Sequence, residues 1–160
     1  MEIGTAKGGT LFLFCRLADP EATVVSVDLP GGEFGGGYPK WKLDLYNSFG
    51  LTGQKLHFLR ADSHSAETKS RVAAIFGAPN VDFLFIDGDH TYEGVKQDFE
   101  FYAPLVRKGG VIAFHDIAVH SPEIGSDVDK FWNEIKKADS KEFIENRDQK
   151  WAGMGVYYVK

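Results

Sequence analysis

The sequence predicts an α/β fold: a doubly wound sheet of seven strands, mostly parallel, closed by an antiparallel C-terminal hairpin strand. Three observations predict it. Short apolar runs of β type alternate with helical stretches along the whole chain, the pattern of helices packed on both faces of a mostly parallel sheet. The first run enters a glycine turn, Gly4-Thr5-Ala6-Lys7-Gly8-Gly9, and a helix follows at once. The runs VDFLFI and GGVIAF flank one helical stretch, and a strand–helix–strand crossover joins parallel neighbours.

In chain order, Met1–Ile3 reads as a very short first strand. The helix after the glycine turn runs to about Leu17 and is apolar nearly all round, so burial is expected. Thr23–Asp28 is the second strand, and Pro30–Pro39, with its five glycines, is irregular. Lys55–Ala61 is the third strand, ending at Asp62. Ser65 stands at the N-cap of the next helix, Glu67 complements the dipole of its first turn, and Gly77–Pro79 stops it. Val81–Ile86 is the fourth strand; Tyr92, Val95, Phe99 and Tyr102 form the core stripe of the connecting helix, and GGVIAF is the fifth strand. Ser126 and Asp129 match a Ser-x-x-Asp start signature, followed by Val128, Phe131, Trp132 and Ile135 on one helical face. Glu142–Arg147 and Gly153–Val159 are the last strands, with a connection short enough for a hairpin.

The chain of 160 residues is expected to form one domain, 1–160. Its 43% hydrophobic and 26% charged residues are those of an ordinary globular protein. A net charge of -5 argues against a nucleic-acid-binding surface. No apolar run approaches the ~20 residues of a membrane span and no basic segment opens a signal peptide, so the expected location is cytoplasmic. The sole cysteine, Cys15, lies among apolar neighbours and reads as a buried, inert thiol.

Four constellations could carry chemistry. Glu2, Gly4, Gly8 and Gly9 make a strand-to-turn-to-helix element in which backbone can approach a ligand closely; an acid at Glu2 suits a cationic amino group, and a tight βα turn is the plain alternative. Asp28 ends its strand where a carboxylate can accept from a ribose diol, or simply sit in a solvated turn. Asp62, Ser63 and His64 close the third strand and could read an adenine edge or cap the next helix. Asp87, Asp89 and His90 follow the fourth strand, and His115 and Asp116 the fifth, so two neighbouring parallel strands deliver acids to one rim. Asp87 and Asp116 suit Mg²⁺, Ca²⁺ or Mn²⁺, and imidazole shifts the preference toward Mn²⁺, Fe²⁺ or Zn²⁺. Without a metal, His90 or His115 would serve as a general base, and Thr91 would cap the following helix. The Gly31–Gly37 segment, with Tyr38, Pro39 and Trp41, is either a flap over the site or a plain surface loop. His57 reads as structural, and His120 has no assigned place.

From EIGTAKGGT to GMGVYYV the chain resembles Rossmann-like class I S-adenosylmethionine-dependent methyltransferases. The segment IDGDHTYEGVKQDFEFYAPLVRKGGVIAFHD is similar to the family related to cephalosporin-hydroxylase and sugar O-methyltransferases, and also resembles the metal-dependent catechol and caffeoyl-CoA O-methyltransferases. The resemblance implies S-adenosylmethionine as cofactor. It implies that Glu2, Gly4, Thr5, Gly8 and Gly9 surround the methionine part of the donor, Asp28 the ribose, and Asp62 and Ser63 the adenine, with Asp87 close to the donor. It places a divalent cation, Mg²⁺ or Mn²⁺, on Asp87, His115 and Asp116, where His115 departs from the family pattern and Asp89 could supply a carboxylate instead. The helices that such enzymes carry ahead of the first strand are missing, which leads to the expectation of a minimal version or of a partner subunit, with a homodimer one form of it. The implied activity is O-methylation of a small hydroxylated acceptor. Two rivals stand beside it: a non-catalytic nucleotide-binding scaffold, and a metal-dependent glycosyltransferase using Asp87-Gly88-Asp89.

Overall fold

The computed structural model describes residues 1–32, 36–77 and 79–160. Contacts divide the chain into two compact units, Met1–Phe76 and Gly77–Lys160.

The first unit contains β1 (Glu2–Ile3), α1 (Gly9–Leu17), β2 (Thr23–Asp28), α2 (Leu43–Asn47), β3 (Lys55–Arg60) and α3 (Ala66–Phe76). Its strands lie in the order β3-β2-β1, all parallel. The β-branched run of β2 is buried between its two neighbours, the usual setting of a central parallel strand. Register pairs Glu2 with Ser26 and Asp28 with Arg60. Leu11, Cys15, Val24, Tyr38 and Tyr46 form the core of this unit, with Leu43, Phe49, Leu56 and Phe58 packed around them. Burial also pushes the Cys15 thiol up, as expected of an inert cysteine.

One expectation for this unit is corrected. α1 is not buried all round: only Leu11 and Cys15 are covered, while Phe12 and Leu13 are exposed and Leu17 is 82% exposed. A helix apolar nearly all round offers too narrow a polar face for its buried side to be read. α2, too short to give a periodic signal, follows a 3-10 turn at Lys40–Lys42 in a stretch with no expected element. Of the proposed flap, residues 33–35 lie outside the described residues. Its far end is anchored, because Tyr38 is fully buried with its ring 5.0 Å from that of Tyr46 and its N–H on the Leu29 carbonyl, whereas Trp41 is exposed.

The second unit contains β4 (Val81–Ile86), α4 (Tyr92–Tyr102), β5 (Val106–His115), α5 (Val128–Ile135), β6 (Lys141–Phe143) and β7 (Met154–Tyr158). The order is β4-β5-β7-β6, with β4 and β5 parallel and the other pairs antiparallel. Phe99 on α4 stacks against Phe114, Phe131 and Tyr157, and Phe114 against Trp132. A Cβ at Gly155 would lie 2.8 Å from the Trp132 indole, so β7 passes beneath that ring only as glycine. Glu142 then accepts from Trp132 Nε1, Lys136 Nζ and Arg147 NH2, which together hold its carboxyl down at about 2.

β5 begins earlier than expected, and β6 is shorter, leaving residues 144–153 as a longer connection with a 3-10 turn at Arg147–Gln149. The Ser-x-x-Asp signature does not cap α5. The helix starts at Val128, the Asp127 N–H donates to the His90 carbonyl at 2.8 Å, and Ser126 Oγ is buried without a hydrogen-bond partner among the described residues. The predicted class is nevertheless the observed one, a seven-stranded, mostly parallel α/β sheet with antiparallel C-terminal strands.

Candidate functional site

In the first unit a chain of polar side chains runs beneath the glycine turn. Glu2 is 1% exposed; it accepts from Thr5 Oγ1 at 3.0 Å and from Thr10 Oγ1 at 2.9 Å. Thr5 Oγ1 lies 2.6 Å from Ser26 Oγ, itself 3.4 Å from the Tyr38 hydroxyl. Burial pushes the Glu2 carboxyl up to about 7, although both threonine hydrogen bonds pull it down. Ser26 and Tyr38 were not foreseen as members of this polar chain; the one polar residue inside TVVSVD was the available signal.

Asp28 ends β2 and accepts four backbone N–H groups. Oδ2 takes Thr5 at 2.9 Å and Ala6 at 2.7 Å, and Oδ1 takes Leu29 at 2.7 Å and Gly37 at 3.0 Å. These donors fill the roughly four acceptor positions of a carboxylate. Ala6 is held at φ 42, and its carbonyl accepts the Tyr46 hydroxyl at 2.8 Å. Gly8 has φ 82, and a Cβ there would lie 2.6 Å from Tyr46 Cε1, so packing and backbone both require glycine. At Gly9 an added Cβ would meet nothing within 4 Å, which leaves the start of α1 open to a bound group. Asp62 Oδ1 accepts the His64 N–H at 2.8 Å while most of the side chain stays exposed, and Ser63 is half-buried beside it.

In the second unit, β4 and β5 end side by side and bring Asp87, His90, His115 and Asp116 together. His90 Nε2 is 3.4 Å from Asp87 Oδ1, and its Nδ1 is 3.2 Å from Asp116 Oδ2. His115 Nδ1 lies 3.1 Å from Asp116 Oδ1 and 3.4 Å from Asp87 Oδ1; it is buried and makes no hydrogen bond among the described residues. One ligand atom each from Asp87, His90 and Asp116 falls within 4.8 Å of the others. Two carboxylate oxygens and an imidazole nitrogen at that spacing fit a hard to borderline divalent cation. His115 is beside this trio and not in it. Asp89 is turned away: its Oδ1 accepts the Thr91 N–H at 2.8 Å, and a Cβ at Gly94 would overlap its carboxyl. Thr91 caps α4, accepting from Gly94 N at 3.0 Å.

Charge binds the cluster together. Contact with Asp87 raises the pKa of His90, with Asp116 adding to it and burial opposing. Contact with Asp116 likewise raises that of His115 against burial. For Asp116, burial works upward but His115, His90 and His120 outweigh it, so its carboxyl sits below the ordinary value. Asp116 adopts φ 60, a left-handed backbone rare for a side-chain-bearing residue. The residue that sequence reasoning left unplaced, His120, is buried beside it, with Nε2 3.3 Å from Asp116 Oδ1.

A family model described as a methyltransferase domain matches residues 1–117. The uncharacterized protein y4gI of Sinorhizobium fredii (strain NBRC 101917 / NGR234) is 30% identical over 139 residues, which cover 84% of this chain and 14% of that protein, so the chain spans only a small part of its relative. Among solved structures, an O-methyltransferase from Bacillus cereus in complex with SAH matches with a TM-score of 0.65 at 18% identity, over 99% of this chain and 72% of that one. TomG from Streptomyces achromogenes, an O-methyltransferase involved in tomaymycin synthesis and in complex with SAM, matches with a TM-score of 0.62 at 16% identity, over 99% and 71%. At such identities the likeness is one of fold.

Proposed function

Because the chain belongs to the methyltransferase domain family, we propose that it transfers a methyl group from S-adenosylmethionine to an oxygen of a small hydroxylated acceptor, assisted by a divalent cation. The observation that carries the metal-assisted form is the gathering of Asp87, His90 and Asp116 within 4.8 Å at the ends of two parallel strands. Similarity to solved O-methyltransferases that hold SAM or SAH supports both the donor and the choice of oxygen.

In this reading Glu2, Gly4, Thr5, Gly8 and Gly9 surround the methionine part of the donor, and Asp62 and Ser63 read the adenine. Asp28 would face the ribose, and its carboxylate is already engaged by the turn. The donor brings an electrophilic methyl, so the protein's work is alignment of the reacting atoms at about 3 Å. Asp87, His90 and Asp116 would hold the divalent cation, which would lower the pKa of an acceptor hydroxyl. His115 lies beside the trio, with Nδ1 3.1 Å from Asp116 Oδ1 and 3.4 Å from Asp87 Oδ1. Without a bound cation, His90 or His115 would instead take the acceptor's proton.

Calorimetry with SAH and Mn²⁺, followed by turnover on a panel of hydroxylated acceptors, tests the proposal. Asp87→Ala and Asp116→Ala should each lower Mn²⁺ affinity by more than the roughly 10–100-fold typical of outer-shell changes, with turnover falling alongside. Absence of SAH binding would sink the methyltransferase reading. Unchanged turnover in both variants would sink the cation.

A further inference from the structure

We infer that His120 is a positioning residue that locks Asp116 into the cation site, an inference that rests on reading Asp87, His90 and Asp116 as the ligands. Asp116 follows the last residue of β5 and holds φ 60. Such a backbone costs on the order of 1–3 kcal/mol and persists only where its surroundings enforce it. What enforces it is a stitch between the loop after β5 and the segment before β7. The Ala118 N–H donates to the Ala152 carbonyl at 3.0 Å, and the Ser121 N–H to that of Lys150 at 3.3 Å. Lys150 and Ala152 are themselves left-handed, at φ 54 and 63, so both sides of the stitch are conformations that neither would keep alone.

His120 is the side chain in that stitch, and 3% of it is exposed. Nδ1 lies 2.8 Å from the Ala118 carbonyl, and Nε2 accepts the Ala152 N–H at 3.2 Å. Facing a carbonyl at one end and an N–H at the other, the ring is assigned as the Nδ1–H tautomer by its hydrogen bonds. The ring therefore spans the loop from one wall to the other, a reach that a shorter amide at Nδ1 alone would not give. Its Nε2 edge rests 3.3 Å from Asp116 Oδ1, while Asp116 Oδ2 faces His90 Nδ1 at 3.2 Å. Nε2, without a proton in this tautomer, makes no hydrogen bond to Asp116 Oδ1; the buried, doubly tethered ring acts as a packed wall that limits rotation of the carboxylate and keeps Oδ2 aimed at the trio. Outer partners that fix a ligand's orientation commonly govern metal affinity to this extent.

The test compares the full chain with His120→Asn and His120→Gln, by Mn²⁺ titration followed by electron paramagnetic resonance, with SAH affinity and melting temperature measured on the same samples. Asn can still reach the Ala118 carbonyl but not Ala152; Gln reaches the place of Nε2. The expected result is a loss of roughly 10–100-fold in Mn²⁺ affinity for His120→Asn, retention within about threefold for His120→Gln, and unchanged SAH affinity in both. An Asn variant that binds Mn²⁺ like the wild type overturns the inference, as does a loss in both variants that only tracks their melting temperatures. A wild-type chain that binds SAH but no Mn²⁺ sinks the cation reading and this inference with it. Wild-type Mn²⁺ binding with an indifferent Asn variant sinks the inference alone. Should His120→Asn not fold, a folded His120→Gln chain decides: retained affinity supports the inference, and a loss beyond about tenfold overturns it.

Discussion

Asp28 is tied to four backbone N–H groups drawn from two loops, so this one carboxylate holds the glycine turn and the Leu29 and Gly37 amides at once. In Asp28→Asn an amide N–H₂ replaces one oxygen and faces N–H donors, leaving at least one of them unsatisfied at a cost of about 1–3 kcal/mol. The expected outcome is a lower melting temperature by thermal unfolding, with SAH affinity weakened as a consequence. A variant that keeps its melting temperature and loses only SAH affinity would show that Asp28 serves as a ribose ligand and not as the clamp. At this scale the sequence was informative where a polar residue ends an apolar run. Asp28, Asp87 and Asp116 were found that way, and each does occupy a strand end. His120 escaped because its hydrogen-bond partners are backbone atoms, one of them 32 residues away, which no side-chain pattern encodes. Asp89 was weighed alongside Asp87 because both follow β4, yet the start of α4 claims it through Thr91.

Among the elements, the turn between β1 and α1 depends on one glycine for packing. Gly8→Ala places a Cβ against the Tyr46 ring and on a left-handed backbone, for a combined loss of roughly 2–5 kcal/mol. Chemical denaturation should register that loss as a lower midpoint. Gly9→Ala, with open space around the new methyl, should leave the midpoint close to wild type. The same contrast explains what was legible among the elements. β2 and β4 were read to the residue because β-branched and aromatic runs bounded by polar residues admit little else. The outward side of α1 was misread because Phe12, Leu13 and Leu17 look no different in sequence from Leu11 and Cys15. The start of α5 was misplaced because the Asp127 N–H goes to the His90 carbonyl, a tertiary bond that overrides the local capping signature.

For the molecule as a whole, pH dependence follows from groups shifted in the same direction. Glu2 is raised from 4.5 to about 7, so the folded chain holds that proton more tightly than the unfolded chain. Its contribution is therefore fully present below about pH 4.5 and is lost as pH rises to about 7, with an upper bound near 3 kcal/mol. The raised histidines His90 and His115 act in the same sense, their share being lost as pH climbs through their elevated values. A melting-temperature series from pH 5 to 8 should therefore fall, and Glu2→Gln should flatten the part below about pH 7 while leaving the rest. A Gln variant with the wild-type slope would show that Glu2 is already ionised in the folded chain. No helix among the described residues is long and apolar enough to cross a membrane. The last strand in the order of the second unit is the shortest there: β6 has three residues, all exposed, two of them charged, and Glu142 is held by Trp132, Lys136 and Arg147. So brief a row of outward-facing peptide groups gives another chain almost nothing to zip onto, and crowding should not drive these molecules into edge-to-edge stacks along β6.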